Sequence, residues 1–235
     1  MNTMWGGLRR RAVAALALGL AVAGAGPLSG CGEINITIGD SKGVKGSGVS
    51  ASETRAVTAF TAVEATGSGK LKLVVGPAES LRVTADDNLL PLISSEVRNG
   101  VLVLSTKGSY VPKTPIVFEV NARSIERIEN SGAVTIDAGG FSGGKLTLDT
   151  SGVGTAKLAG RVDTLKIELS GVGSVDSENL VADRVDAELS GVGSGTVRAD
   201  KSLKASVSGV GSLTWTGTAT DVKTSVSGVG KVSRG

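Results

Sequence analysis

Histidine is absent from this 235-residue chain, and cysteine occurs once. Without histidine, the sequence excludes catalytic triads that use a histidine base, the usual zinc sites and histidine-ligated haem. Aromatic residues make up only 3% of the chain, so no surface for stacking sugars or bases is evident. We therefore expect a protein with no cofactor, no metal ion and no enzyme activity.

Carboxylates are the reactive groups that remain. Asp86, Asp87 and Asn88 form the densest acidic cluster, but they lack the alternating spacing and closing glutamate of a calcium loop, so we expect them to cap a turn. A second group of carboxylates falls on one outward strip of predicted strands: Asp149, Glu168, Asp186 and Glu188. Paired carboxylates are the machinery of glycosidases, so a carbohydrate-active enzyme is the alternative hypothesis. Interleaved lysines favour a solvated face instead.

The first thirty residues predict a bacterial lipoprotein signal. Three arginines at 9–11 precede an apolar stretch at 12–25, which at about 14 residues is shorter than the roughly 20 of a membrane-spanning helix. The lipobox residues Leu28, Ser29 and Gly30 follow, directly before Cys31. Because Cys31 has no partner for a disulfide, we expect it to carry the lipid.

The charge of the chain depends on this processing. Removing residues 1–30 takes away three of the 25 basic residues and none of the 22 acidic ones, which leaves a formal net charge of zero. The positive net charge of the whole chain therefore comes from the signal peptide, and we expect no nucleic-acid partner.

A repeated tetrapeptide, Ser-Gly-Val-Gly, marks the C-terminal half. Its serines are 19, 20, 18 and 19 residues apart, and a degenerate copy begins at Ser131. This period suits one turn of a β-solenoid, with sharp corners that need glycine. The predicted corner residues are Ser151, Gly152, Gly154, Ser170, Gly171, Gly173, Ser190, Gly191, Gly193, Ser208, Gly209, Gly211, Ser227, Gly228 and Gly230.

Alternation of apolar and polar residues before each serine predicts strands with one buried face, as in Leu165, Ile167 and Leu169. The fold class is therefore all-β: a solenoid resembling a right-handed parallel β-helix, with coils of about 19 residues. Continued over residues 54–235, this period gives nine or ten coils. Trp215 is in phase with core positions, so we expect it in the core.

The repeat valines at 153, 172, 192, 210 and 229 have two alternatives. A corner at the glycines turns them inward, whereas unbroken alternation exposes them as an apolar stripe. We expect the inward arrangement, because an exposed stripe promotes aggregation or binding.

Further motifs resemble a known family. Arg55, Val57, Phe60 and Val63 open the region, Gly67-Ser68-Gly69 precedes an alternating strand, and Val83–Leu90 and Val97-x-x-Gly100-x-Leu102 follow. In this order, over residues 54–235, they resemble the putative auto-transporter adhesin head GIN domain family. The resemblance implies an exported bacterial protein, often a lipoprotein, with a β-helical fold and no catalytic residues.

These observations predict three segments: a lipoprotein signal peptide at 1–30, a lipidated cysteine with a flexible tether at 31–53, and a β-helical domain at 54–235. We expect an exported protein anchored in the cell envelope, at the outer membrane or the outer face of the plasma membrane. Its expected partners are the membrane, a protein or glycan surface, and other copies through the end coils. Besides the enzyme, an accessory sensor or assembly factor of an envelope system is an alternative.

Overall fold

Strands dominate the computed structural model, which describes residues 43–235. The predicted signal peptide, lipobox and Cys31 lie outside the described residues. One 3₁₀ turn, Leu90–Leu92, occurs within them, and none of their helical segments is long and apolar enough to cross a bilayer. The strands of this part of the chain are β1 Val44–Lys45, β2 Ser50–Arg55, β3 Ala62–Ala65, β4 Ser68–Val75, β5 Ser80–Asp86, β6 Ile93–Arg98, β7 Val101–Thr106, β8 Tyr110–Val111, β9 Val117–Ala122, β10 Arg127–Asn130, β11 Ala133–Ser142, β12 Lys145–Thr150, β13 Val153–Leu169, β14 Val172–Leu189, β15 Val192–Val207, β16 Val210–Thr216, β17 Asp221–Val226 and β18 Val229–Arg234.

Parallel pairing stacks most of these strands into a β-solenoid whose turns are about 20 residues each. Each rung has a first strand that ends before the corner and a second strand that begins after it; in the Ser-Gly-Val-Gly rungs the first strand ends before the corner serine and the second begins at the corner valine. The first strands stack in the order β3, β10, β12, the second halves of β13, β14 and β15, and β17. The second strands stack in the order β4, β11, the first halves of β13, β14 and β15, then β16 and β18. The predicted fold class is confirmed.

The N-terminal region departs from the predicted run of nine or ten coils, and that number is wrong. β7 and β9 form a rung that stacks on β3 and β4, although it follows them in sequence. β6 then pairs antiparallel with β7, and β5 and β2 extend the other sheet antiparallel from β9. Antiparallel hairpins therefore cover this end of the solenoid. The reversal at Asn99-Gly100, where both residues have positive φ, sets one of these hairpins, because an Asn-Gly pair tolerates the backbone angles of such a tight turn.

The acidic cluster at 86–88 attaches the first described residues to the domain. Asp86 is completely buried, and its carboxylate accepts hydrogen bonds from the backbone N–H groups of Gly48, Lys113 and Thr114. Asn88 accepts a bond from the N–H of Ser47. The cluster thus caps backbone groups, as a turn cap would, but the groups that Asp86 and Asn88 bind belong to distant segments of the chain and not to the cluster's own turn. Because β1 and β2 lie within residues 44–55, the segment predicted as tether (31–53) overlaps the folded part from residue 44 onward.

The core is a narrow column between the two sheets, filled by the inward positions of each strand. Leu146, Leu165, Val185 and Leu203 occupy one such position in successive rungs and are all buried. Burying an aliphatic side chain of this size contributes roughly 1.5–3 kcal/mol, so a continuous column stabilises the stack. Trp215 is also buried, as predicted, with the Arg234 guanidinium 4.8 Å from its ring centre.

Candidate functional site

The Ser-Gly corner joins the two strands of each rung, and its backbone is bonded to the rung before it. At the third corner, the carbonyl of Leu169 accepts bonds from the N–H groups of both Ser190 and Gly191, at 2.8 and 3.0 Å. The N–H of Val192 bonds to the carbonyl of Gly171 at 3.0 Å. The same three contacts recur at the neighbouring corners, so the corners form a continuous ladder of backbone hydrogen bonds.

Close approach of successive corners explains why both positions are glycine. A Cβ atom on Gly171 would collide with the carbonyl oxygen of Gly152, and one on Gly173 would collide with that of Gly154. The backbone of Gly154 also has a φ of +148°, which L side chains rarely adopt. The hydroxyls of the corner serines, by contrast, make no hydrogen bond to protein atoms within residues 43–235.

The corner valines face solvent, so the expectation that they turn inward is wrong. Alternation continues through the corner: Thr150 is buried, whereas Ser151, Val153 and Thr155 are exposed or nearly so. The two glycines take the inward positions, where the rungs leave no space for a side chain. We call the resulting apolar stripe the valine ladder: Val153, Val172, Val192, Val210 and Val229, which are 56, 51, 50, 52 and 75% exposed.

Register makes the valine ladder continuous. Val153 lies opposite Val172, Val172 opposite Val192, Val192 opposite Val210 and Val210 opposite Val229. Neighbouring strands are roughly 4.8 Å apart, so equivalent side chains contact one another along the whole stripe. Two stripes of hydroxyl side chains flank it. The serine column is Ser151, Ser170, Ser190, Ser208 and Ser227, and the hydroxyl column is Thr155, Ser174, Ser194 and Ser212.

Around the corner, on the first strands, lies an acidic column. Its members are paired in register across successive rungs: Glu64, Glu129, Asp149, Glu168 and Glu188. The sequence predicts one outward strip for the last three together with Asp186, but Asp186 lies in the adjacent column, opposite Lys166 and Lys204. The sequence-based prediction of this strip does not include Glu64 and Glu129. Each precedes the corner by two residues, as Glu168 does, and that spacing is the signal that identifies them.

Shallow depressions separate the acidic column from the serine column. One is lined by Asp149, Glu168 and Glu188 on one side and by the corner serines of the same rungs on the other. A second, toward the capped end, is lined by Glu64, Glu129 and Ser131 among others. Carboxylate acceptors and hydroxyl groups therefore repeat side by side at the spacing of the rungs.

Cations partly neutralise the acidic column. Arg127 forms an ion pair with Glu129, and Lys166 forms one with Glu168. The hydrogen bond to Glu168, with the charge of that carboxylate, raises the pKa of the Lys166 ammonium above its usual value. One column over, Lys204 pairs with Asp186 at 3.4 Å. No group of three or more acidic, histidine or cysteine side chains within residues 43–235 is arranged to hold a metal ion.

Fold and surface together define a β-solenoid repeat protein with columns of chemically similar side chains on its outside. The family model described as "Putative auto-transporter adhesin, head GIN domain" matches residues 59–219. The chain belongs to that family, as the sequence motifs indicate.

A solved structure shares the fold, and two others match with TM-scores below 0.5. A structure described as a putative adhesin from Bacteroides fragilis NCTC 9343 is 24% identical, has a TM-score of 0.64, and the match covers 82% of this chain and 100% of that one. A second, from Parabacteroides merdae ATCC 43184, is 17% identical with a TM-score of 0.49 and coverage of 82% and 98%. A third, from Parabacteroides distasonis ATCC 8503, is 22% identical with a TM-score of 0.45 and coverage of 82% and 99%. No curated protein matches the chain.

Proposed function

We propose that this chain is a lipid-anchored, non-enzymatic protein of the bacterial cell envelope whose β-solenoid presents a rigid surface for adhesion or envelope interaction. The observation that carries the proposal is the set of outward columns, in which each rung repeats the side chains of the one before. Membership of the putative auto-transporter adhesin family supports the same function. Such a surface binds by repetition, because a partner can contact equivalent groups on several rungs at once.

The polar side of the corner suits a hydrogen-bonding partner. The depressions between the acidic and serine columns place carboxylates beside hydroxyls that have no protein partner in the described part of the chain. Sugar hydroxyls both donate and accept hydrogen bonds, so a glycan of the envelope or of another cell surface fits this chemistry. A bound glycan would lie along the column and contact Glu168, Glu188 and the serines between them.

Cys31 supplies the membrane anchor in this proposal. A diacylglycerol on its sulfur and a further acyl chain on the new N-terminus would hold the protein firmly, since each buried methylene contributes about 0.8 kcal/mol. The attachment of residues 47 and 48 to the 86–88 cluster then fixes where the tether joins the solenoid.

The anchor is tested by changing Cys31 to Ala in the full chain. The variant should leave the membrane fraction after cell lysis, while the unchanged protein stays with it. A Ser41→Ala chain, which leaves the lipobox and the cysteine in place, is the control for altering a residue near the N-terminus. Retention of the Cys31→Ala chain in washed membranes contradicts lipid anchoring.

The surface function is tested with vesicles that carry the lipidated full chain. They should bind purified envelopes or a glycan array more strongly than bare vesicles, and the double change Glu168→Gln and Glu188→Gln should weaken that binding. Polysaccharides incubated with the protein should remain intact. Absence of binding to glycans, envelope polymers and cells contradicts adhesion, and cleavage of a polysaccharide that the double variant loses would establish the enzyme instead.

A further inference from the structure

The valine ladder is the largest apolar feature that the described residues leave exposed in a regular array. Its five valines are half-exposed or more, they contact one another in register, and they are not needed to fill the core. Contiguous exposed apolar stripes of this kind mark interaction sites on soluble domains. The remaining question is which partner has the matching shape.

We propose that the partner is a second copy of this chain, whose own valine ladder packs face to face against the first. This inference goes beyond the proposed function and does not depend on the anchor or on glycan binding. It concerns the valine ladder on the second strands of the rungs, whereas the carboxylates of the proposed glycan surface lie on the first strands; the serine column lies between the two surfaces and borders both.

Periodicity is the first argument. The side chains of the ladder repeat at roughly 4.8 Å, the distance between neighbouring strands. A second ladder has the same period, so its valines can pack against those of the first along the full length, as identical side chains do between paired sheets. A partner built from helices or irregular loops has no such repeat and would match only one or two rungs.

Charge is the second argument. The serine column and the hydroxyl column flank the ladder with uncharged groups, apart from Lys231, which continues the hydroxyl column opposite Ser212 in the last rung. Two copies can therefore bring this face together without placing rows of like charges in contact. The acidic column cannot pair with itself in this way, because its carboxylates would repel one another.

The area is sufficient for a weak dimer. Five rungs at about 4.8 Å give a height of about 24 Å, and three columns of outward residues give a width of about 20 Å. Each copy would thus contribute about 480 Å², or about 1,000 Å² for the pair, which is at the lower limit of specific interfaces. We therefore expect a dimer with a Kd in the micromolar range.

A lipid surface fits the ladder less well. Segments that lie on membranes combine apolar groups with aromatic and basic side chains at the interface. The columns beside the valine ladder carry hydroxyls instead, and Trp215 and Phe141 are buried in the core.

Sedimentation equilibrium of the full chain in a non-ionic detergent tests the proposal, over protein concentrations from about 1 to about 500 µM. The unchanged protein should show a reversible monomer–dimer equilibrium. Changing both Val172 and Val192 to Asp should raise the Kd at least ~100-fold, because four carboxylates would be buried close together in the apolar interface. Val74→Asp is the matched control: Val74 is 52% exposed on β4 but lies outside the ladder, so the Kd should change less than about twofold.

A milder double variant, Val172→Thr and Val192→Thr, keeps β-branched side chains and should fold as the parent does. It should raise the Kd roughly tenfold, with an unchanged circular dichroism spectrum. If the two copies are related by a two-fold axis, Val192, the central valine of the ladder, lies opposite Val192 of the other copy. A Val192→Cys chain should therefore form a covalent dimer with a short bismaleimide, whereas the parent, with Cys31 alone, and a Val74→Cys chain should not.

Three results would overturn the proposal. The first is a protein that stays monomeric at every concentration. The second is a dimer that the aspartate pair leaves intact, which would assign association to the end rungs. The third is a monomeric chain that binds phosphatidylcholine vesicles through the ladder, with binding abolished by the aspartate pair. Glycan or envelope binding by the monomeric aspartate variant would show that the proposed function stands independently.

Discussion

Replacing Gly171 by Ala tests whether the glycines of the corner are required by the approach of successive rungs. An added Cβ would overlap the carbonyl oxygen of Gly152, which belongs to the backbone and cannot rotate away as a side chain would. The two corners must then separate. Separation breaks the bonds from the N–H groups of Ser170 and Gly171 to the Thr150 carbonyl, at 2.9 and 3.1 Å, and the bond from Val172 to Gly152, at 3.0 Å.

The expected cost follows from these three contacts. A backbone hydrogen bond contributes about 1 kcal/mol net, so losing three should lower the free energy of unfolding by about 3 kcal/mol. Gly76→Ala is the control, because nothing lies within 4 Å of a Cβ built there. We expect that change to stay within about 0.5 kcal/mol of the parent.

Urea unfolding followed by circular dichroism measures both variants. The slope with urea concentration should also be compared, since a repeat protein whose rungs uncouple shows a lower slope. If Gly171→Ala matches Gly76→Ala in stability, the rungs accommodate a side chain at the corner and the steric explanation of the repeat is refuted.

Two further predictions concern the core and the buried carboxylate. Leu165→Ala empties a completely buried position and should cost about 2–5 kcal/mol in urea unfolding, whereas Val74→Ala on the surface should cost less than about 0.5 kcal/mol; equal losses would contradict the assignment of the core. Burial alone would raise the pKa of Asp86, but hydrogen bonds from the backbone of Thr114, Lys113 and Gly48 outweigh it and lower the pKa below the usual 3.8. Because the folded pKa lies below the unfolded one, the Asp86 carboxylate stabilises the protein above about pH 4, and this contribution disappears as pH falls through the folded pKa. Asp86→Asn should therefore be less stable than the parent at pH 7, with a gap that narrows below pH 4, and a constant gap would argue against the charge.

The regular part of the solenoid follows from local sequence. Alternation in segments such as Leu165, Ile167 and Leu169 defines the buried face, and the spacing of the serines defines the length of a rung. Because each rung contacts mainly its neighbours, these short-range patterns are enough to predict the stack. The cluster at 86–88 was also predictable as a cap, since its spacing does not suit a calcium loop.

Three features of the structure could not be predicted from local sequence patterns alone. The rung of β7 and β9 stacks outside that of β3 and β4, an order that depends on long-range pairing and not on sequence position. The spacing of Glu64 and Glu129 before their corners is visible in the sequence, but only the pairing of β3 with β10 and of β10 with β12 shows that they stand next to Asp149 in one column. The direction of the corner valines was ambiguous because two glycines at each corner permit either path of the backbone.

The sequence by itself determined the all-β class, the period of the rungs and the residues that face the core, because alternation and repeat spacing are local properties. Only the tertiary structure decided that hairpins cap one end and that the corner valines face outward. Both depend on how closely one rung approaches the next: with the carbonyl of Gly152 against Gly171, the inward corner positions have no space for a side chain.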